Sequence, residues 1–489
     1  MTTLQHPLPD NQKDSLDVEP IVLTDVFKKL GEQIRSEVQQ SLQREKVLQV
    51  SRYHQHLLTQ LPNHMLVKMQ AHLGSSSLPL VANSQFNVLD AYKPQDQAAR
   101  YSTQNLVQLS AFEVSEVSHQ LSNMQVELES KAPLFVEQFS FDLWVNPELW
   151  SQFDYQLPRL KYALLNHAEL TVTAQYEDGS EQPIPATLSA LDGWTLACND
   201  ALFLRSTSPE FDLGMRLSFG KVPHQDKRVR VKSFKLLFGF DGEVLLSPAL
   251  KTAQSPLLST NIVPLFNLYE DLSVAMPLDF RQEQINLHHS NDIAARPFYV
   301  RQLFLNQNLY KPYHQLGESE FVFHRESAAL LYTPNDIQQA VATKQKLSAR
   351  IFWNQDKPLP QLPQISTAAI NTQRAEFEVI KAAEAKHFYD INTLEQVGMT
   401  LQNFAQFQLG NREHFLFLAK HLLGSNENPT LQKFSSAIKE INFDPKSSEL
   451  SITCSVLQHM DLVRTLSELI IEFIMVNTAL VIKLLVSIA

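Results

Sequence analysis

The residues best equipped for chemistry are few, and their spacing argues against most of it. His288 and His289 are adjacent, with Asp279 and Asp292 nearby, which suggests a metal site. On an extended chain, however, neighbouring side chains point to opposite faces, and a metal needs its ligands on one face. His54 and His56 fall in a segment with helical patterning and diverge by about 200° around its axis. Gly214 and Gly220, followed by Lys221, resemble a phosphate-binding loop. Five residues separate these glycines where four are needed, and Val222 stands where magnesium requires a hydroxyl, so a strand bounded by glycines is predicted. Cys198 and Cys454 have no partner histidine or second nearby cysteine. Cys454 alternates with polar residues on the apolar side of a strand pattern, which assigns it to a core. The carboxylate pairs Glu318/Glu320 and Glu376/Glu378 read as polar faces. No catalytic residue, cofactor or metal site is expected.

The elements that would position any site come in two kinds. Thr24 to Leu61 is predicted as one long helix, capped by Thr24 and stopped by Pro62. Phe27, Leu30, Ile34, Val38 and Leu42 recur every three or four residues along one face, and a single apolar stripe requires a partner helix. Gly74 to Pro79 has linker composition. From Pro133 the pattern turns to strands. Leu170, Val172, Ala174 and Tyr176 alternate with polar residues, Asp178-Gly179 predicts a hairpin turn, and Pro183 and Pro185 make the return strand an edge. Val229 and Val231 alternate with Arg228, Arg230 and Lys232, and Asp241-Gly242 predicts another turn before Val244 to Leu246. Strands are predicted at Phe298–Asn306 and Phe321–Arg325, and a stiff connector at Pro358–Pro363. Helices are predicted over Tyr155–His167, interrupted at Pro158, and over Ala375–His387, Thr393–Phe407 and Arg412–Leu423. A strictly alternating strand covers Leu450 to Val456, and an apolar helix from Leu462 ends the chain.

The predicted fold is a multidomain α+β chain with a long N-terminal helix, a mostly antiparallel β middle and an α+β C-terminal domain ending in that apolar helix. Boundaries are expected to give 1–75 (tail and helix), 76–250 (a mixed region, then β), 251–363 (β-rich) and 364–489. The 489 residues are 44% hydrophobic, enough for buried cores, and two cysteines exclude a disulfide framework. Only 12 glycines leave little material for nucleotide-cradling loops. A net charge of −11 disfavours a dedicated nucleic-acid binder. The basic run Lys221, Lys227, Arg228, Arg230, Lys232 and Lys235 is read as a solvated face. The opening residues lack the basic and apolar regions of a secretory signal. The final apolar stretch is broken by Glu468, Glu472 and Lys483, so a buried or interface helix is expected rather than a membrane span, and a cytoplasmic location with it.

Four segments in order resemble the TssF (ImpG/VasA) family of type VI secretion baseplate proteins. Phe139-Ser-Phe-Asp-Leu143 precedes Leu160 to His167, like the family's strand and following helix. Asn261 to Tyr269 with Pro277-Leu278-Asp279 is similar to its Pro-x-x-Asn-Leu-Phe block and downstream Pro-x-x-Asp. Tyr299-Val300-Arg301 with Phe321 to Ser327 resembles a strand followed by an Arg-Glu pair, and Glu468 to Thr478 resembles the closing helix.

The resemblance implies a structural wedge subunit without catalysis. It would pair as two copies with one TssG-like protein, join a TssK-like protein, and surround a VgrG-like spike hub. The assembly would template tube and sheath and dock indirectly, through a membrane complex, on the inner face of the bacterial inner membrane. Phe27, Leu30, Ile34 and Val38 are then expected to pack on partner helices. Leu469, Phe473 and Val476 are expected to serve a contact with a second copy or a neighbouring wedge. Intramolecular packing is the alternative for both sets. Two other functions remain open on the residues alone. One is a β-sandwich enzyme with a pocket at His288 or His324, and the other a membrane-associated adaptor using the last helix.

Overall fold

The computed structural model describes residues 28–39, 41–42, 57, 60–71, 73, 75–93, 95–120, 122–136, 138–191, 198–220, 230–240, 250, 253, 255–282, 284–312, 321–324, 328–332, 337–355, 357–368, 370, 375–387, 391–402, 409–423, 428–478 and 480–489. The chain divides into two units, Met1–Gln49 and Val50–Ala489. In the first, 28–39 and 41–42 are helical. The predicted helix does not reach Leu61. Gln60–Leu61 is a short strand paired antiparallel with Lys386–His387, so backbone pairing in the second unit replaces helical bonds there.

The second unit is built on antiparallel sheets. Sheet I has six strands in the order Pro363–Ser366, Gln85–Asp90, Ala99–Ser102, Ile262–Phe266, His64–Ala71 and Ala375–Ala383. It draws on segments from all four expected domains except for the first unit's helix, so the boundaries at 250 and 363 do not part the structure. Its apolar face buries Met65, Val67, Phe86, Tyr101, Val263 and Leu265. Two segments expected otherwise belong to it or to a neighbour. Ala375–Ala383 was the place for a helix on its Ala, Glu and Lys content. Phe377 and Val379 instead pack on the sheet I core while Glu376 and Glu378 face solvent, and burial at period two outweighs intrinsic helix preference. Ser77–Leu80, which overlaps the expected linker Gly74 to Pro79, pairs with Val107–Ser110 and buries Leu80.

Sheet II runs Glu181–Ile184, Ala168–Tyr176, Val231–Phe240, Asn123–Leu134, Phe112–Gln120. The Asp178-Gly179 turn forms as predicted, with Gly179 at φ +83°, a conformation that costs a side chain energy and glycine none. The proline-bearing return strand Glu181–Ile184 is the sheet edge. Sheet III runs Ala186–Ala190, Gly214–Phe219, Phe139–Val145, Leu258–Thr260. An aromatic layer joins the two sheets. Phe234 lies 4.8 Å from Phe112 and 4.8 Å from Phe219, and Phe139 stacks on Phe219 at 4.4 Å. Gly214 begins a strand, as expected. A Cβ there would come within 2.9 Å of the Trp144 ring, so the close approach requires glycine.

Sheet IV centres on Lys346–Gln355, flanked by Tyr269–Leu272 and Ala295–Leu305, with Asn308–Pro312 beyond. Gln284–Asn286, Ala329–Tyr332 and Phe321–His324 form a smaller sheet, and Val300, Ile351, Trp353, Phe321 and Leu330 share one core with it.

The main helices of this unit come from two stretches of the sequence, 156–207 and 391–477. We label Gln156–Asn166 α1, Cys198–Thr207 α2, Ile391–Gln402 α3, Arg412–Leu423 α4, Pro429–Ala437 α5 and Met460–Asn477 α6. Pro158 does not interrupt α1, because it sits in the first turn, where the missing amide has no helical acceptor. α5 starts on Asn428, whose side chain accepts from the Thr430 amide, with Pro429 at the first helical position. α6 packs on α1, α2, α4 and α5. Leu462, Leu466, Leu469, Ile470, Phe473 and Ile474 recur at three and four along its buried face. It is not the last element. Thr478 is extended, its hydroxyl donating to the Ile474 carbonyl, and Lys483–Ile488 returns as a strand parallel to Glu449–Cys454. Cys454 is fully buried in that sheet. Among the described residues no helix is long and apolar enough to cross a membrane.

Candidate functional site

The catalytic candidates are occupied by structural bonds. His288 is exposed and His289 points inward, the opposed directions of an extended chain. The His289 ring packs edge-on against Tyr269 and Trp353. Its Nδ1 accepts from the amides of Asn291 and Asp292, so Nε2 carries the proton and donates to Asp271 Oδ2 at 3.1 Å. Asp292 Oδ2 accepts from Gln355 Nε2 at 2.6 Å and Tyr269 Oη at 3.0 Å. Burial pushes that carboxyl up, but these bonds outweigh it and hold it below the usual carboxylate range. Asp279 Oδ1 accepts from the Arg281 amide in a turn. Among the described residues no three His, Cys, Asp or Glu side chains are grouped to hold a metal ion. His54, His56, Lys221, Lys227 and Arg228 lie outside the described residues, as do Phe27, Asp241 and Gly242 and the side chains of Cys198 and His324. In the basic run, Lys235 pairs with Glu181 at 3.1 Å and Arg230 lies 5.0 Å over the Phe135 ring.

A histidine that sequence reading passed over makes the contact most like a hydrolase pair. His64 Nε2 is 3.0 Å from Ser208 Oγ, and its Nδ1 is 2.8 Å from the Pro62 carbonyl. The ring is fully buried, between Phe211 and Phe266, and burial lowers its pKa to about 4. A substrate cannot reach a serine and histidine sealed in this way, so the pair holds sheet I to the segment after α2. His421 on α4 is the second such residue. It lies 5.2 Å from Phe203 and 5.6 Å from Phe473, its Nε2 has no hydrogen-bond partner, and burial lowers its pKa to about 4.

A charged cleft of about 180 Å³ lies between α1, the segment from α2 to Asp212, and α6. It is lined by Arg159, Lys161, Arg205 and Arg464 and by Asp212, Asp461 and Glu468, with Tyr162, Asn166 and Thr465. Arg205 bonds Asp212 at 3.1 Å and Glu472 at 2.7 Å, tying α2 to α6. Its pKa is raised: burial opposes the charge, but Asp212 and Glu472 outweigh it. The only local signal of this cleft in the sequence is the helical spacing of Arg464, Glu468 and Glu472.

The predicted contact residues divide. Leu30, Ile34 and Val38 are each about half exposed, at 49%, 52% and 52%, and Leu42 extends the stripe at 54%. Leu469 and Phe473 are buried within the second unit, so they make the intramolecular alternative. The two lie on the α6 stripe that meets α1, α2 and α4, whereas Val476, beyond the last buried turn, is 45% exposed. Val481, Leu485 and Ile488 are also exposed, the latter two on an edge strand of the C-terminal sheet.

The arrangement defines a class: a multi-sheet α+β chain whose polar constellations are structural and whose unpartnered features are apolar stripes and an edge strand. Two solved structures share this fold. A chain of the type VI secretion system TssK-TssF-TssG baseplate subcomplex superposes with a TM-score of 0.60 at 12% identity, covering 95% of this chain and 94% of that one. A chain of the type VI secretion system baseplate complex gives 0.51 at 12% identity, covering 88% and 82%. At that identity the likeness establishes the fold, which is the α+β architecture expected from the sequence. No protein-family model and no curated protein matches the chain.

Proposed function

We propose that this chain is a structural wedge subunit of a type VI secretion, or contractile injection, baseplate, of the TssF kind. The single observation that carries this reading is the extent of the likeness. The match runs over 95% of this chain and 94% of the other, so the whole architecture corresponds rather than one common module. The four ordered sequence segments that resemble the family support it independently. In this reading the chain performs no catalysis and assembles with TssG-like and TssK-like partners. The half-exposed stripe of Leu30, Ile34 and Val38 packs on partner helices, because an apolar stripe left in water is unfavourable. Val476 and the exposed edge strand Lys483–Ile488 contact a second copy. The wedge surrounds a VgrG-like spike hub, nucleates tube and sheath from the cytoplasm, and reaches the inner membrane through other components.

Co-expression with a TssG-like and a TssK-like protein of the same organism tests it. The expected result is a stable complex that survives gel filtration. A stable monomer that binds neither partner would overturn the reading. The triple variant Leu30→Asp, Ile34→Asp, Val38→Asp should weaken binding of the TssG-like partner at least tenfold and leave the melting of Val50–Ala489 unchanged.

A further inference from the structure

The C-terminal sheet has two edges, and one of them is unguarded. Its strands run Ile438–Asp444, Glu449–Cys454 and Lys483–Ile488, so the first and last are edges. Ile438–Asp444 is protected by a register shift between Ile438 and Glu440, with Lys439 and Glu440 exposed beside it. Lys483–Ile488 runs in unbroken register with Glu449–Cys454, and after Lys483 it holds no charge, proline or bulge. Leu485 and Ile488 are 51% and 48% exposed. The phase of the ladder fixes which backbone groups are left over. The Lys483 amide donates to the Ser448 carbonyl and the Ala489 amide to that of Cys454, so residues 483, 485, 487 and 489 bond inward. The amides and carbonyls of Leu484, Val486 and Ile488 therefore point outward along the open edge.

We propose that this edge pairs antiparallel with the same edge of a second copy, about a twofold axis at Val486, joining two three-stranded sheets into one. The inference rests on the second-copy contact of the baseplate reading and gives that contact a mode and a register. Leu484 then faces Ile488 of the second copy and Val486 faces its own counterpart, so every outward group of the strand enters a hydrogen-bonded pair. A slip of one residue would set outward groups against inward ones. The side chains agree with this register. Leu484 and Ile488 lie on the face shared with Leu450, Ile452 and Cys454, so Leu484 of the second copy covers the half-exposed Ile488. On the opposite face Leu485 meets Ser487, and Lys483 meets no like charge. A second copy is the occupant because every copy carries the same unguarded edge, and nothing along the strand repels its own kind.

The test uses the purified full chain in sedimentation velocity over a concentration series, with melting followed in parallel. Wild type is expected to dimerise reversibly. Leu485 and Ser487 are exposed and can be charged without disturbing the core. Leu485→Lys with Ser487→Lys, and separately Leu485→Glu with Ser487→Glu, should each weaken the dimer roughly tenfold, because like charges then face each other across the axis. An equimolar mixture of the two should restore it. Should a charged variant fail to fold, copies carrying Leu485→Cys are mixed with copies carrying Ser487→Cys; these positions are direct opposites, and a disulfide between the copies is expected on oxidation. A monomeric wild type, equal dimerisation by wild type and charged variants, a mixture that stays apart, or absence of the disulfide overturns the proposal. A monomeric wild type whose charged variants lose a TssG-like partner assigns the edge to that protein and overturns it likewise. The two readings fail separately: partners bound without this dimer sink the pairing alone, and a dimer of this register that binds neither a TssG-like nor a TssK-like protein sinks the baseplate reading.

Discussion

Acidification should loosen the helical end of the second unit, and His421 isolates the cause. Its imidazole is held between Phe203 and Phe473, with Nε2 unbonded, and burial lowers its pKa to about 4 from 6.5. Below pH 6.5 the unfolded chain therefore binds a proton that the folded chain refuses. Stability is fully present above pH 6.5 and falls as pH drops toward 4, where the folded state also protonates. Linkage between these two pKa values gives a loss of about 2 kcal/mol from pH 7.5 to pH 5 for one such histidine. His64, also lowered to about 4, contributes a similar loss through sheet I. Substituting His421→Leu removes the titrating group and retains an apolar filling of comparable size. The expected result is that hydrogen exchange of the α2, α4 and α6 amides, which accelerates in wild type between pH 7.5 and 5 after correction for intrinsic rates, loses about half of that acceleration on a logarithmic scale. An unchanged acid response in the variant would refute the assignment of this loss to His421.

Two other substitutions probe the packing. Asp142 and Arg216 form a buried ion pair at 2.9 Å, and Asp142 also accepts from the Gln108 amide at 2.9 Å. Asp142→Asn should cost about 3–5 kcal/mol in urea unfolding, because it removes the counter-charge of a buried guanidinium; a loss below about 1 kcal/mol would show that the pair is hydrated in solution. Phe473→Ala should cost about 3–5 kcal/mol by the same measurement, since the ring is fully buried, whereas Val476→Ala should fall within about 0.5 kcal/mol. Equal effects would place α6 in a different rotation.

Features governed by neighbours a few residues away were legible in the sequence. The turn at Asp178-Gly179, the edge position of Glu181–Ile184, α4 at Arg412–Leu423 and the burial of Cys454 all follow from local periodicity or backbone preference. The strand at Ala375–Ala383 was not legible, because its Ala, Glu and Lys content favours a helix in isolation and only the partner strand His64–Ala71 reverses that preference. The fate of α6 was half legible. Its apolar stripe was evident, but a stripe does not say whether its cover is the same chain or another.

Sequence alone therefore determined that the chain is α+β, mostly antiparallel, and poor in the glycine and cysteine that nucleotide loops and disulfide frameworks need. Tertiary structure decided what lies beside what. It set Leu469 and Phe473 inside and Leu30, Ile34 and Val38 outside, sealed His64 against Ser208, and brought Arg205 to Glu472 across 267 residues. The physical reason is range: helical and strand periods are written in side chains a few positions apart. Burial and charge pairing depend on which distant faces meet, and that is settled only when the sheets and helices pack.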